Sequence, residues 1–229
     1  MTTFNVITIF PEASDSYFKS SLLGKAREKK LIKINLIDPR SFAKDKHKMT
    51  DDRPFGGGAG MVMKPEPILR AVESIKKKKG NEKAKVLIFS AKGKQFNQKK
   101  AYEWARKHKS FIFISGRYEG IDERVKTVLK AEEVSIGPYI TTDGDVAAMT
   151  VVSAIARLIP GVIKWESLQE ESFFSELTEK EQKDFLEYPH YTRPAVLEWK
   201  KKSYRVPKIL LSGDHKKIKE WRNKHSKGN

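Results

Sequence analysis

Phe111-Ile112-Phe113-Ile114-Ser115-Gly116-Arg117-Tyr118-Glu119-Gly120-Ile121-Asp122-Glu123-Arg124 runs from an unbroken apolar stretch into a polar loop bounded by glycines. The first five residues read as a strand with no polar face, the pattern of a strand covered on both sides. Upstream, strand Val86–Ser90 leads to helix Gln98–Lys107. Downstream, Glu133–Ile136 reads as another strand, and Val146–Leu158 as an apolar helix that stops at Pro160-Gly161. The N-terminal part repeats the theme with strand Phe4–Phe10, a helical stretch over Ser14–Lys29 and strand Ile32–Ile37. Helix Pro67–Lys79 follows Pro65 and ends in a lysine run before Gly80-Asn81. Such β-α alternation predicts an α/β fold with a mostly parallel sheet.

The chain of 229 residues is long enough for one sizeable domain and a small appendage. It has no cysteine, which excludes disulfides, thiolate metal sites and cysteine nucleophiles. His47, His108, His190, His215 and His225 show no metal-ligand spacing, so no protein metal centre is expected from them. No apolar run suits a membrane span and no leader is evident, so a soluble cytoplasmic protein without a membrane partner is expected.

Forty-six Lys and Arg against 29 Asp and Glu give a net charge of +17, which favours a polyanionic partner. Residues 195–229 hold 11 of the cations and three acids, a net +8. A solvated lysine-rich surface would also produce this pattern. Tyr191, Trp199, Tyr204 and Trp221, interleaved with the cations, point instead toward RNA, where stacking and phosphate neutralisation act together.

Asp51-Asp52-Arg53-Pro54-Phe55-Gly56-Gly57-Gly58-Ala59-Gly60-Met61 places four glycines in five positions behind a charged cluster. Glycine lets backbone approach a ligand closely. Neither standard phosphate loop fits, because Met61 stands where a dinucleotide fingerprint needs glycine and Met61-Val62 where a Walker loop needs Lys-Ser/Thr. Three strand ends carry comparable loops: Ser90-Ala91-Lys92-Gly93, Gly116 to Gly120, and Gly137-Pro138-Tyr139-Ile140-Thr141-Thr142-Asp143-Gly144. In parallel sheets, ligands bind beyond such carboxyl ends, so these loops are candidates for one site.

Six motifs, in order, carry a resemblance. They are the stretch Asp51 to Met61, Gly116 to Arg124, Ser135-Ile136-Gly137, Arg157-Leu158-Ile159-Pro160-Gly161, Pro189-His190-Tyr191-Thr192-Arg193-Pro194 and Leu210-Leu211-Ser212-Gly213-Asp214-His215. Together they cover nearly the whole chain, which resembles the TrmD family of bacterial tRNA (guanine-N1-)-methyltransferases. The resemblance implies a SPOUT-type α/β domain with a deep trefoil knot over residues 1–163. Residues 164–178 are polar and aperiodic and read as a linker, and the basic tail over 179–229 reads as a small helical domain, which the resemblance makes tRNA-binding and short for the family. The resemblance further implies a homodimer that uses S-adenosylmethionine to methylate N1 of guanosine 37 beside the tRNA anticodon, with Mg²⁺ supporting activity and Asp51 and Asp52 as candidates to hold it.

By the same resemblance the methyl donor touches Phe89, Ser90, Ala91, Gly116, Tyr118, Glu119, Gly120, Ile136, Gly137, Pro138, Tyr139, Ile140, Thr141 and Gly144. Asp52, Arg53, Gly58 and Gly60 would face the target guanine, and His190, Tyr191, Arg193, Ser212 and His215 would contact the tRNA. N1 of neutral guanine carries a proton, so methyl transfer needs a base, and charge builds on O6 as that proton leaves. Arg157 matches the family's arginine for the second task. For the first, Glu171 of Glu170-Glu171-Ser172-Phe173 stands where the family has aspartate, with one methylene added. Where the family reads Gly-Asp-Tyr-Val-Leu-Ser/Thr-Gly-Gly-Glu-Leu-Pro, this chain has Pro138, Asp143 and Asp145 as departures, and Ala91 replaces a usual proline. A ribose 2′-O-methyltransferase and an inactive RNA-binding relative are the competing readings.

Overall fold

The computed structural model describes residues 1–164, 167–168, 172 and 187–226. Its elements in chain order are β1 (Thr2–Ile7), α1 (Pro11–Lys19), α2 (Ser21–Glu28), β2 (Ile32–Ile37), β3 (Asp51–Asp52), β4 (Val62–Met63), α3 (Pro65–Lys76), β5 (Lys85–Gln95), α4 (Gln98–Lys107), β6 (Ser110–Ile114), α5 (Glu123–Leu129), β7 (Glu132–Ser135) and α6 (Asp145–Ala156). These belong to the first of two compact units, Met1–Lys164 and Trp165–Asn229. The second unit contributes β8 (Val196–Trp199), β9 (Lys202–Arg205) and α7 (His215–His225). Among the described residues, no helix is long and apolar enough to cross a membrane.

Five strands form one sheet in the order β2-β1-β6-β5-β7, and every neighbouring pair is parallel. Because strand side chains alternate between faces, Phe4, Val6, Leu87, Phe89, Phe111, Phe113 and Val134 point to one side. There they pack with Phe18 of α1, Trp104 of α4 and Val151, Val152 and Ile155 of α6. Ile7, Val86, Ile88, Ile112 and Ile114 point to the other, against Ile68, Val72 and Ile75 of α3 and Val125 of α5. Burying each such side chain stabilises by roughly 1.5–3 kcal/mol, which explains why the apolar runs show no polar face. The predicted mostly parallel α/β sheet is the architecture found.

Local boundaries differ in informative ways. The single helical stretch expected over Ser14–Lys29 is two helices, because Ser20 is extended and Ser21 adopts φ 48°. Strand β5 does not end at Ser90. Phe89 and Lys94 both face Val134, so Ser90 to Gly93 bulge out and the strand resumes to Gln95. Gly93 is required there, since a Cβ would strike the Val134 amide. The α5 turn and the short β3–β4 pair carry too little periodicity to be read in advance.

The tail is not wholly helical, because β8 and β9 form an antiparallel hairpin, Trp199 opposite Lys202, closed by Lys200-Lys201. Both loop residues have positive φ, 47° and 63°, as a two-residue turn matched to strand twist requires. For L-residues with a Cβ this costs roughly 1–2 kcal/mol each. The start of the helical domain expected over 179–229 lies outside the described residues, as does most of the 164–178 segment.

Candidate active site

Strand β5 lies between β6 and β7, and this adjacency brings the three candidate loops together. They enclose a cavity of about 330 Å³. Twelve of the expected donor-contacting residues line it: Phe89, Ser90, Ala91, Gly116, Tyr118, Glu119, Gly120, Ile136, Tyr139, Ile140, Thr141 and Gly144. Gly137 and Pro138 do not. Gly137 acts behind the wall: a Cβ there would run into the Tyr139 ring, whose Oη donates to the Ile136 carbonyl at 3.2 Å. Pro138 is exposed.

The floor of the cavity is backbone against backbone. The Gly144 amide donates to the Gly116 carbonyl at 2.9 Å, and a Cβ on Gly144 would lie 2.7 Å from the Gly116 nitrogen. Tyr118 holds φ 58°, a conformation that a bulky residue keeps only where its surroundings enforce it. The enforcement comes from the hairpin of β3 and β4. The Glu119 amide donates to the Met61 carbonyl at 3.0 Å, the Met63 amide to Gly120 at 2.9 Å, and the Asp122 amide to Met63 at 3.1 Å.

The glycine stretch of this hairpin therefore abuts the cavity loop. Gly56, Gly57, Gly58 and Gly60 all have positive φ. At Gly60 a Cβ would stand 2.5 Å from Glu119 Oε1, so only glycine lets that carboxylate lie there. Asp52 and Arg53 are exposed on the same hairpin, and the Arg53 amide donates to Asp52 Oδ1 at 2.8 Å. Phe55 is fully exposed beside them.

Charged groups stand in and just behind the wall. Arg117 Nη2 lies 3.1 Å from Asp143 Oδ2 and 3.5 Å from Asp145 Oδ2, while its guanidinium sits over the Phe10 ring at 4.3 Å. The Asp145 carboxylate is 4 % exposed, and among the described residues neither of its oxygens accepts a hydrogen bond. Its charge is balanced instead by Arg117 and by the N-terminus of α6, where it is the first helical residue. Asp143 Oδ1 accepts from the amide of Asp145, the first residue of that helix, at 2.8 Å. The Asp143 side chain thus couples two loops of the cavity. Asp122, also in the wall, caps α5, and the hydrogen bond from Arg124 holds its carboxyl below the usual range.

Arg157 is not in the lining. It follows the last residue of α6, whereas the cavity touches that helix at Gly144 and Ala147. Twelve residues at 1.5 Å rise separate the two ends by about 18 Å. Glu171 lies outside the described residues. Among those described, no group of three His, Cys, Asp or Glu is placed to hold a metal ion, and Asp51 and Asp52 form none.

In the second unit, His190 and Tyr191 join an aromatic cluster with Tyr188, Trp221 and His225. The Tyr188–His190 and Trp221–His225 centroids are 4.6 and 4.0 Å apart. Arg222 covers the Tyr188 ring at 4.9 Å. Ser212 serves the chain itself, its Oγ donating to Ile209 at 2.7 Å and accepting from the Asp214 amide at 3.2 Å. His215 opens α7 behind its cap Asp214, and Arg193 is exposed.

The family model of tRNA (Guanine-1)-methyltransferase TrmD matches residues 2–229. The chain belongs to the TrmD family. Among curated TrmD relatives, the tRNA (guanine-N(1)-)-methyltransferase of Carboxydothermus hydrogenoformans is 48% identical over 97% of this chain and 81% of its own length. The enzymes of the same name from Dictyoglomus turgidum and Buchnera aphidicola are 47% and 45% identical, covering 99% and 98% of this chain and 85% and 90% of their own lengths. These TrmD relatives match across both units.

Proposed function

We propose that this chain transfers the methyl group of S-adenosylmethionine to N1 of guanosine 37 in tRNA, acting as a homodimer. One observation carries the reading: three glycine-bearing loops from adjacent parallel strands close around a single cavity. Its volume suits a small-molecule site. The glycines at 116 and 144 leave a floor of bare backbone, and charged groups stand in the wall, which fits a donor with an amino-acid end, a ribose and an adenine. Ser90, Gly116, Glu119, Gly120, Gly144, Ile136 and the run 139–141 would hold it. Bound there, S-adenosylmethionine supplies an electrophilic methyl group.

The remaining chemistry falls to this chain's side chains. As the bond to N1 forms, the N1 proton passes to the Glu171 carboxylate and the Arg157 guanidinium offsets the charge on O6. The hairpin bearing Asp52, Arg53, Gly58 and Gly60 receives the guanine. Because Arg157 stands at the far end of α6 from the cavity, the partner's Arg157 would complete each site in the dimer. Helix α6 suits that role: it is apolar nearly all round, with Val146 41 % exposed. On family grounds the cavity loops are read as part of a deep trefoil knot, the 164–178 segment as a linker, and the second unit as the tRNA-binding part. The test is to digest enzyme-treated tRNA to nucleosides. The expected product is 1-methylguanosine; a 2′-O-methylated nucleoside would contradict the proposal.

A further inference from the structure

The β8–β9 hairpin has two unlike faces. Strand register places Leu197, Trp199, Lys202 and Tyr204 on one and Val196, Glu198, Ser203 and Arg205 on the other. On the first face Trp199, Tyr204 and Leu197 are 61, 53 and 50 % exposed. Trp199 and Tyr204 are diagonal neighbours across the strands, a spacing within reach for two aromatic rings. The only acid of the ribbon, Glu198, is on the opposite face, where both its oxygens accept from Ser203 Oγ at 2.6 and 2.7 Å. Within the ribbon the aromatic face therefore carries no acid, and Lys200, Lys201 and Lys202 stand at its tip.

The tip is also conformationally strained. A two-residue turn of this kind favours Asn-Gly, which tolerates positive φ, yet Lys200 and Lys201 hold φ 47° and 63°. A surface chosen for stability alone would not place two β-carbons there, and retained strain marks a position that serves something beyond the fold. An isolated two-stranded ribbon with both large rings in water is itself marginal.

We infer that this ribbon is a stacking clamp for unpaired nucleotides of the tRNA substrate, its tip lysines neutralising phosphates while Trp199 and Tyr204 receive bases. The inference rests on the methyltransferase reading for the identity of the RNA. Charge complementarity selects a nucleic acid over an apolar partner. Exposed ring faces select unpaired bases, because paired bases in a duplex keep their faces within the stack.

The full-length double variant Lys200→Asn/Lys201→Gly tests it without threatening the fold, since it installs the residues this turn prefers. Its melting temperature should not fall. Its tRNA affinity should weaken about 10–30-fold near 0.15 M salt, and the slope of log affinity against log salt should shrink by about 1.4–1.8 units. Trp199→Ala should weaken binding of tRNA by about tenfold, with the salt slope unchanged, and should leave binding of a fully paired RNA duplex unaltered. Unchanged tRNA affinity and slope in the double variant would overturn the clamp, as would an equal loss of duplex binding by Trp199→Ala. Methylation by the wild-type chain is scored separately, so failure of the clamp and failure of the methyltransferase reading give different results.

Discussion

Replacing Glu171 by Gln is expected to lower the rate of methyl transfer by about 10²–10⁴-fold, the contribution typical of a positioned general base, with tRNA affinity staying within about twofold. The amide keeps the side chain's shape and hydrogen-bonding reach but cannot take the N1 proton at neutral pH. Single-turnover methylation with saturating donor, alongside equilibrium binding of the same tRNA, separates the two quantities. Near-wild-type turnover would remove Glu171 from the chemistry and leave it as a solvated charge beside Glu170. A shortened carboxylate makes a second comparison informative. Glu171→Asp should retain far more activity than Glu171→Gln, because it preserves the carboxylate and changes only its reach.

Gly144→Ala opens the floor of the cavity. The added Cβ would lie 2.7 Å from the Gly116 nitrogen and 2.9 Å from Ser115 Cα. Both are backbone atoms at the end of β6, so neither can swing aside as a flexible side chain would. Relief must come from separating the two loops, which strains the Gly144–Gly116 hydrogen bond. Overpacking of this kind costs roughly 1–3 kcal/mol, or a melting shift of about 2–12 °C for a chain of this size. Donor affinity should fall much further than a general loss of stability explains, by about 5–150-fold, since the same 1–3 kcal/mol acts on the wall of the site. Calorimetric titration with S-adenosylhomocysteine measures it. Unchanged affinity in a destabilised variant would place the donor elsewhere.

The sheet was legible because its strands are short apolar runs separated by helix-length polar segments, and because strand ends such as Ser115-Gly116 announce where a ligand would meet backbone. The loops were legible for the same reason. Their coupling was not: Arg117 meets Asp143 and Asp145 across more than two dozen residues of sequence, and no periodicity encodes an ion pair between loops. Gly93 looked like the close of a loop, whereas it is the point where β5 returns to the sheet beside Val134. The hairpin of the second unit escaped notice because its turn is Lys200-Lys201 rather than Asn-Gly, so the usual signal is missing. Arg157 illustrates a different limit. Its motif assigns it to the chemistry, yet the length of α6 sets it apart from the cavity of its own chain, and only the geometry turns that motif into an argument for a second copy.

The most direct test of guanosine N1 methylation uses two tRNA transcripts that differ only in carrying G or A at position 37, incubated with the purified chain and S-adenosylmethionine labelled in its methyl group. Label entering the G37 transcript alone is the expected result. Equal incorporation into both, or none into G37 tRNA by a chain that binds the donor, would contradict it.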